Sequence, residues 1–236
     1  MSVSEVEAAA SAGASHRMSH IGVLRARIAR PRFDRYVLAV GGDPARALRL
    51  YEWNLVASSA FYETLGQLEI LLRNALDEQL RRWHRRAIGG DGSWHLDPRT
   101  PLHGDLRAQV VDARRRARRH RAVETQDGVI TELTFGFWRY LLDTRHQSTL
   151  WAPALRHAFP HLRPRVRSEV YERLVRLHLL RNRIAHHEPI HGLALSARLD
   201  DVLVVAGSIC PTTAAWIWAT TRSAAVLAAR PGDVSG

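Results

Sequence analysis

The chain has no lysine, a single cysteine and no strand-like alternation, and each shortage narrows what it can be. All 34 basic residues are arginine, a uniformity that fits codon bias in a GC-rich genome better than selection for the guanidinium fork. The lone Cys210 excludes an intramolecular disulfide framework and any zinc site built on several thiolates. It suits a reducing compartment, the cytoplasm. Residues 202–221 run for twenty positions without a charge, long enough for a membrane span. Gly207, Ser208, Pro211, Thr212 and Thr213 interrupt that run, so it reads as two short buried helices separated by a turn. Residues 1–20 are rich in Ala, Ser and Gly and lack the apolar segment of a secretory signal. They are expected to form a disordered tail, with Met18 as an alternative start, and residues 231–236 a flexible end. No repeat is evident.

What is abundant is positive charge. A net charge of +11 in 236 residues favours contact with a polyanion, nucleic acid or an anionic surface, because summed potential attracts phosphate and raises encounter rates. The length suffices to bury a real core, and the expectation is one all-α domain over residues 21–230.

Helical periodicity organises that domain. A first helix over residues 25–40 is interrupted by Pro31, and Gly41-Gly42-Asp43-Pro44 then forms a turn with Asp43 as N-cap and Pro44 at the first helical position. Residues 45–86 contain no proline, and Phe61, Leu65, Leu68, Leu72, Ala75 and Gln79 keep the spacing of one face, predicting one long helix or two in line. Residues 89–101 form a loop by composition, followed by a helix over 102–121. Residues 130–143 carry Phe135, Phe137, Trp138, Tyr140 and Leu141 and are predicted to be a central helix. Val170, Leu174, Leu177 and Leu180 mark a helix over 166–187 that Pro189 ends. Residues 193–229 read as two more helices divided near Ser208.

The chemistry concentrates in Leu180-Arg181-Asn182-Arg183-Ile184-Ala185-His186-His187. Cations at a helix C-terminus are favourable for structural reasons alone, by about 0.3–1 kcal/mol each. Cleaving RNA without a metal requires a base for the 2′-OH proton, an acid for the departing 5′ oxygen and a cation for the phosphate. Histidine and arginine are suitable residue types. Five residues apart on an ideal helix, Arg181 and His186 differ by about 140° in direction, so they converge only if the helix end unwinds or a phosphate sits across it. One chain supplies one such pair. A two-fold dimer would bring a second His186 to the cleft, whereas His187 as second group would point about 100° away.

These residues also carry a family resemblance. Arg181, four residues and His186 match the R-x4-H pattern of the HEPN superfamily, and the longer string through Ile190 resembles its abortive-infection-like branch. Tyr51-Glu52-Trp53-Asn54, Leu68-Glu69 with Leu72-Arg73-Asn74-Ala75, and Leu133-Thr134-Phe135-Gly136-Phe137-Trp138 resemble further segments of that branch in the same order. Together they cover roughly residues 48–218. The resemblance implies an α-helical RNA-cleaving or RNA-binding protein, often a homodimer, in phage defence or a toxin system. It implies Arg181 and His186 as catalytic pair, Asn182 as the polar residue that orients the site, and no cofactor. An antitoxin or a phage-derived trigger would be the further partner. Some HEPN toxins carry a tyrosine two residues after the histidine. This chain has Glu188 there, so modification of such a tyrosine does not transfer.

Secondary candidates surround this core. Glu69 and Arg73, four apart with Asn74 beside them, could set a polar notch against Arg181. Six arginines fill eight positions in 114–121, and Arg114, Arg115, Arg118 and Arg119 are candidate RNA-backbone contacts. Without interleaved aromatics they suggest affinity rather than sequence selectivity. His186, His187 and His191 with Glu188 do not form a metal site on this reading, because Pro189 breaks the helix that would align them. Trp53, Trp83, Trp138, Trp216 and Trp218 read as core or interface anchors.

Overall fold

In the computed structural model, which describes residues 14–120 and 124–232, every regular element is helical. The first is α1, Ala14–Ile28, so the last seven residues of the expected disordered tail are helical. The rest of that tail, and residues 233–236 of the expected flexible end, lie outside the described residues. Ala29, with φ 76°, separates α1 from α2, Arg30–Ala39, and Pro31 sits in the first turn of α2, where it forfeits no helical hydrogen bond. Asp43 then caps the long helix α3, Pro44–Trp83, its Oδ1 accepting from the backbone N–H groups of Ala45 and Arg46 at 2.8 and 3.2 Å. A π-helical turn, His84–Ile88, continues α3, and left-handed Gly89 closes it.

The buried row of α3 follows the predicted face through Phe61, Leu65, Leu68 and Leu72, then runs to Leu76 and Leu80 in place of Ala75 and Gln79. At 3.6 residues per turn the two rows are adjacent, and the larger apolar side chains take the core positions. The following loop is not a mere connector. Its Trp94 is fully buried against Phe137 and Trp138, and its indole N–H donates to Asp77 of α3 at 2.8 Å.

Helix α4, Gly104–His120, packs against α5, Gln126–Thr131, and α6, Phe135–Leu141. The single helix expected over 130–143 is thus two, broken at Glu132-Leu133-Thr134. Short 3-10 and π turns between Thr144 and Ala158 lead to α7, Arg167–Ala185, which packs on α6 and on α8, Leu195–Ile209. The terminal region forms three helices rather than two. Pro211 opens α9, Pro211–Thr220, and α10, Ser223–Ala228, follows. The first break falls at Cys210, whose extended backbone precedes the proline. No helix among the described residues is long and apolar enough to cross a membrane.

The chain divides into two compact units, one of residues up to Ser58 with those from Ala225 on, the other Ser59–Ala224. In the first, Tyr51 meets Tyr36 edge to face and Phe33 at a tilt, and the Trp53 indole donates to the Val226 carbonyl at 2.8 Å. The candidate catalytic segment and its neighbours belong to the second.

Candidate functional site

Helix α7 buries Val170, Leu174, Leu177, Leu180 and Ile184 on one face, which fixes the directions of the polar residues between them. Its end is closed rather than unwound. The Glu188 N–H donates to the Arg183 carbonyl at 2.7 Å and the His187 N–H to the Ile184 carbonyl at 3.0 Å. This is the paired pattern that normally places glycine at the left-handed position. Here that position is His187, with φ 56°, a conformation that costs a non-glycine residue roughly 1–2 kcal/mol. His186 is the residue just after the last helical turn, exposed, with its N–H donating to Asn182 at 2.9 Å. His187 is exposed too, and the left-handed backbone turns the chain sharply between the two histidines.

Arg181, half-buried on α7, acts electrostatically on Glu69. The Glu69 carboxyl of α3 has its pKa raised by burial, against which the charges of Arg181 and Arg73 and a hydrogen bond from the Phe135 backbone N–H pull it down. Glu69 on α3 is thus within electrostatic range of Arg73, of Arg181 on α7 and of the Phe135 backbone on α6. Asn74 is exposed and accepts a long 3.4 Å bond from Arg73. His178, one turn before Arg181, stacks on Phe135 with ring centroids 5.9 Å apart, and its Nε2 lies 3.3 Å from the Asn182 amide nitrogen. Burial, reinforced by the charges of Arg139 and Arg181, lowers the His178 pKa. Gly136 lets the imidazole approach closely, since a Cβ there would lie 3.1 Å from His178 Nε2 and the ring would have to shift by a few tenths of an ångström.

His186 serves a different surface. It lines a cavity of about 570 Å³ together with Asn182, Arg183, Glu188, Arg176 and Arg198, backed by Leu179, Leu180, Leu193 and Ala194. Arg181 does not line it. Of the three residues expected to act together, the structure brings Asn182 and His186 to one cavity and leaves Arg181 outside it, as the spacing on an unbroken helix requires. Sequence reasoning missed Arg183, which lines the cavity with Arg176 and Arg198. It also missed Asp201 of α8. That carboxylate, nearly inaccessible, is held by Arg173 at 3.0 Å, by Arg176 at 2.7 and 2.9 Å and by Arg198 at 3.2 Å. Burial alone would raise its pKa, but hydrogen bonds from Arg176 and Arg173 and the charges of Arg176 and Arg198 prevail and lower it.

The arginine run on α4 is mostly paired. Glu124 accepts from Arg114 and Arg118, Asp112 from Arg115, and Glu132 from Arg116, while Arg119 makes no ion pair among the described residues. Trp53 and Trp138 are buried as expected, Trp83 is half-buried, and Trp216 and Trp218 are exposed, so the last three are not core residues. Among the described residues no group of three or more His, Cys, Asp or Glu side chains is placed to hold a metal ion.

Comparison with protein-family models, with curated proteins and with solved structures gave no match to this chain.

Proposed function

We propose that this protein acts on RNA in the cytoplasm, as an abortive-infection-like HEPN endoribonuclease of a phage-defence or toxin system. The observation that carries this reading is the cavity at the end of α7, where an exposed histidine stands beside Asn182 and Arg183, with Arg176 and Arg198 in the same wall. That set offers proton transfer and phosphate binding in one place. In the reaction, the RNA 2′ oxygen attacks phosphorus after losing its proton to a base, and the P–O5′ bond breaks as an acid protonates the leaving oxygen. The products are a 2′,3′-cyclic phosphate and a 5′-hydroxyl. His186 fills one of these roles, and the His186 of a second copy in a homodimer fills the other.

A second reading has its own support. Because Arg181 does not line the His186 cavity, the same basic scaffold would also suit a noncatalytic RNA-binding or sensing module. The two separate cleanly. Purified protein incubated with cellular RNA in EDTA should yield cyclic-phosphate ends, and His186→Ala, with its far-UV circular dichroism unchanged, should abolish them. Salt-dependent RNA binding with no products would leave the binding reading standing, and cleavage by folded His186→Ala would remove the histidine from the mechanism.

A further inference from the structure

Three arginines line the cavity beside His186, and they are not equivalent. Arg176 and Arg198 are committed to Asp201 at hydrogen-bond distance. Arg183 is not so held. The nearest approach of its guanidinium to a carboxylate is Nε to Glu188 Oε2 at 3.6 Å, beyond hydrogen-bond reach, and that Nε is buried without a hydrogen-bond partner. A buried donor left unsatisfied costs about 1–3 kcal/mol, which an incoming acceptor would recover.

We propose that Arg183 is the phosphate-binding residue of this cavity and that Glu188 is its exchangeable counter-ion, displaced when a phosphate group enters. Three features of the site support the exchange. The backbone of Glu188 is anchored by its N–H to the Arg183 carbonyl, which keeps its carboxylate close, at 3.6 Å from Nε rather than hydrogen-bonded to it. Both residues are about half exposed, so the carboxylate can swing into water at little cost, as exposed pairs contribute at most about 1 kcal/mol. A phosphate oxygen pair matches the planar fork bidentately, with a charge equal to a carboxylate's in a diester and larger in a monoester. The negative end of the α7 dipole disfavours any anion here, Glu188 included, so it does not decide between the two. Leu179, Leu193 and Ala194 give the cavity an apolar wall beside the cation, suited to a sugar or base attached to the phosphate. The ligand class is therefore a phosphate ester or diester, and the site deepens the RNA reading by naming the residue that holds the backbone.

The test uses two probes that cannot be cleaved through a 2′-hydroxyl, inorganic pyrophosphate and a six-residue oligothymidylate, titrated calorimetrically into the full chain and into folded variants. Arg183→Gln should weaken binding by at least about tenfold, the loss of one charge-assisted bond, and Arg183→Lys should restore only part of it. Glu188→Gln should tighten binding roughly two- to fivefold by removing the competitor. Arg27→Gln, on α1, controls for net charge and should change affinity by less than about twofold. Oligothymidylate bound and pyrophosphate not, with the same pattern across variants, identifies a diester site, and the reverse a free-phosphate site. Equal losses in Arg183→Gln and Arg27→Gln, or no gain in Glu188→Gln, overturn the proposal. The proposal rests on the RNA reading only for its ligand's origin: opposite shifts in the two variants without RNA cleavage would sustain the subsite while the nuclease reading fails. His186-dependent cleavage with no effect at Glu188 would do the converse.

Discussion

The arginines of α4 and those around the end of α7 look alike on paper and differ in what holds them. On α4 the run that dominates the sequence is largely matched by Glu124, Asp112 and Glu132. On α7 the pairing is uneven, since Asp201 gathers Arg173 and Arg176 with Arg198 of α8, whereas Arg183 has only a distant glutamate. Density of charge in a sequence is thus a poor guide to charge available for a ligand. What counts is the number of carboxylates that the fold delivers to each guanidinium.

The largest effect is expected at Asp201. Asp201→Asn leaves three guanidinium groups facing a neutral amide, two of them on the same helix, and should cost about 3–5 kcal/mol, as breaking a buried ion pair does, read from the urea midpoint. A cost below 1 kcal/mol would mean that these arginines are as loosely held as Arg183, and the contrast would collapse. Its pH dependence has a definite sign. With the folded pKa lowered, the stabilisation is full above the unfolded carboxylate value near about 4 and fades as pH falls through the folded value below it.

A smaller effect tests whether a paired arginine still acts at a distance. Burial, with the charges of Arg81 and Arg114 added, pushes the His95 pKa down to about 4, although Glu124 and Asp91 oppose it. An unfolded histidine protonates near 6.5, so the unfolded state binds the extra proton between those values and stability falls as pH drops from about 6.5 to 4, by up to about 3 kcal/mol. His95→Leu should flatten that limb of the stability curve. An unchanged limb would assign it to other groups.

The smallest effect concerns α4 itself. Glu124→Gln releases Arg114 and Arg118, and should steepen the dependence of log affinity for single-stranded RNA on log salt by about 0.7–1.4, the slope expected for one or two more phosphates neutralised. The stability loss should stay within about 1 kcal/mol per exposed pair. No change in slope would show that these arginines lie off the RNA path whether paired or free.

Much of the helical frame was legible because it is local. Asp43 and Pro44 announce the start of α3, and Val170, Leu174, Leu177 and Leu180 the inward face of α7, since capping and periodicity involve residues within a few turns. The break at residues 132–134 was hidden by an apolar segment whose aromatic residues suggest burial on every side without showing where the backbone turns. Trp94 was lost in a glycine-rich loop because composition reports surface tendency, not the one side chain sent inward. At the site, His186, from its type and its spacing with Arg181, and Asn182, from the family resemblance, were found as candidates. Arg183 and Asp201 were not, because which arginine is neutralised depends on a carboxylate 25 or more residues away, and no short motif encodes that distance.

The loop after α3 also packs on His84 of the π-helical turn, whose Nε2 lies 2.9 Å from Asp97 Oδ2 and whose Nδ1 accepts the Gly92 N–H at 3.2 Å. A Cβ on Gly90 would fall 2.0 Å from its Cε1. The constraint runs one way. A side chain at position 90 requires the His84 imidazole to move or be replaced, whereas glycine at 90 leaves room for any residue at 84, so the variant to expect as tolerated is a change at 84 and not one at 90.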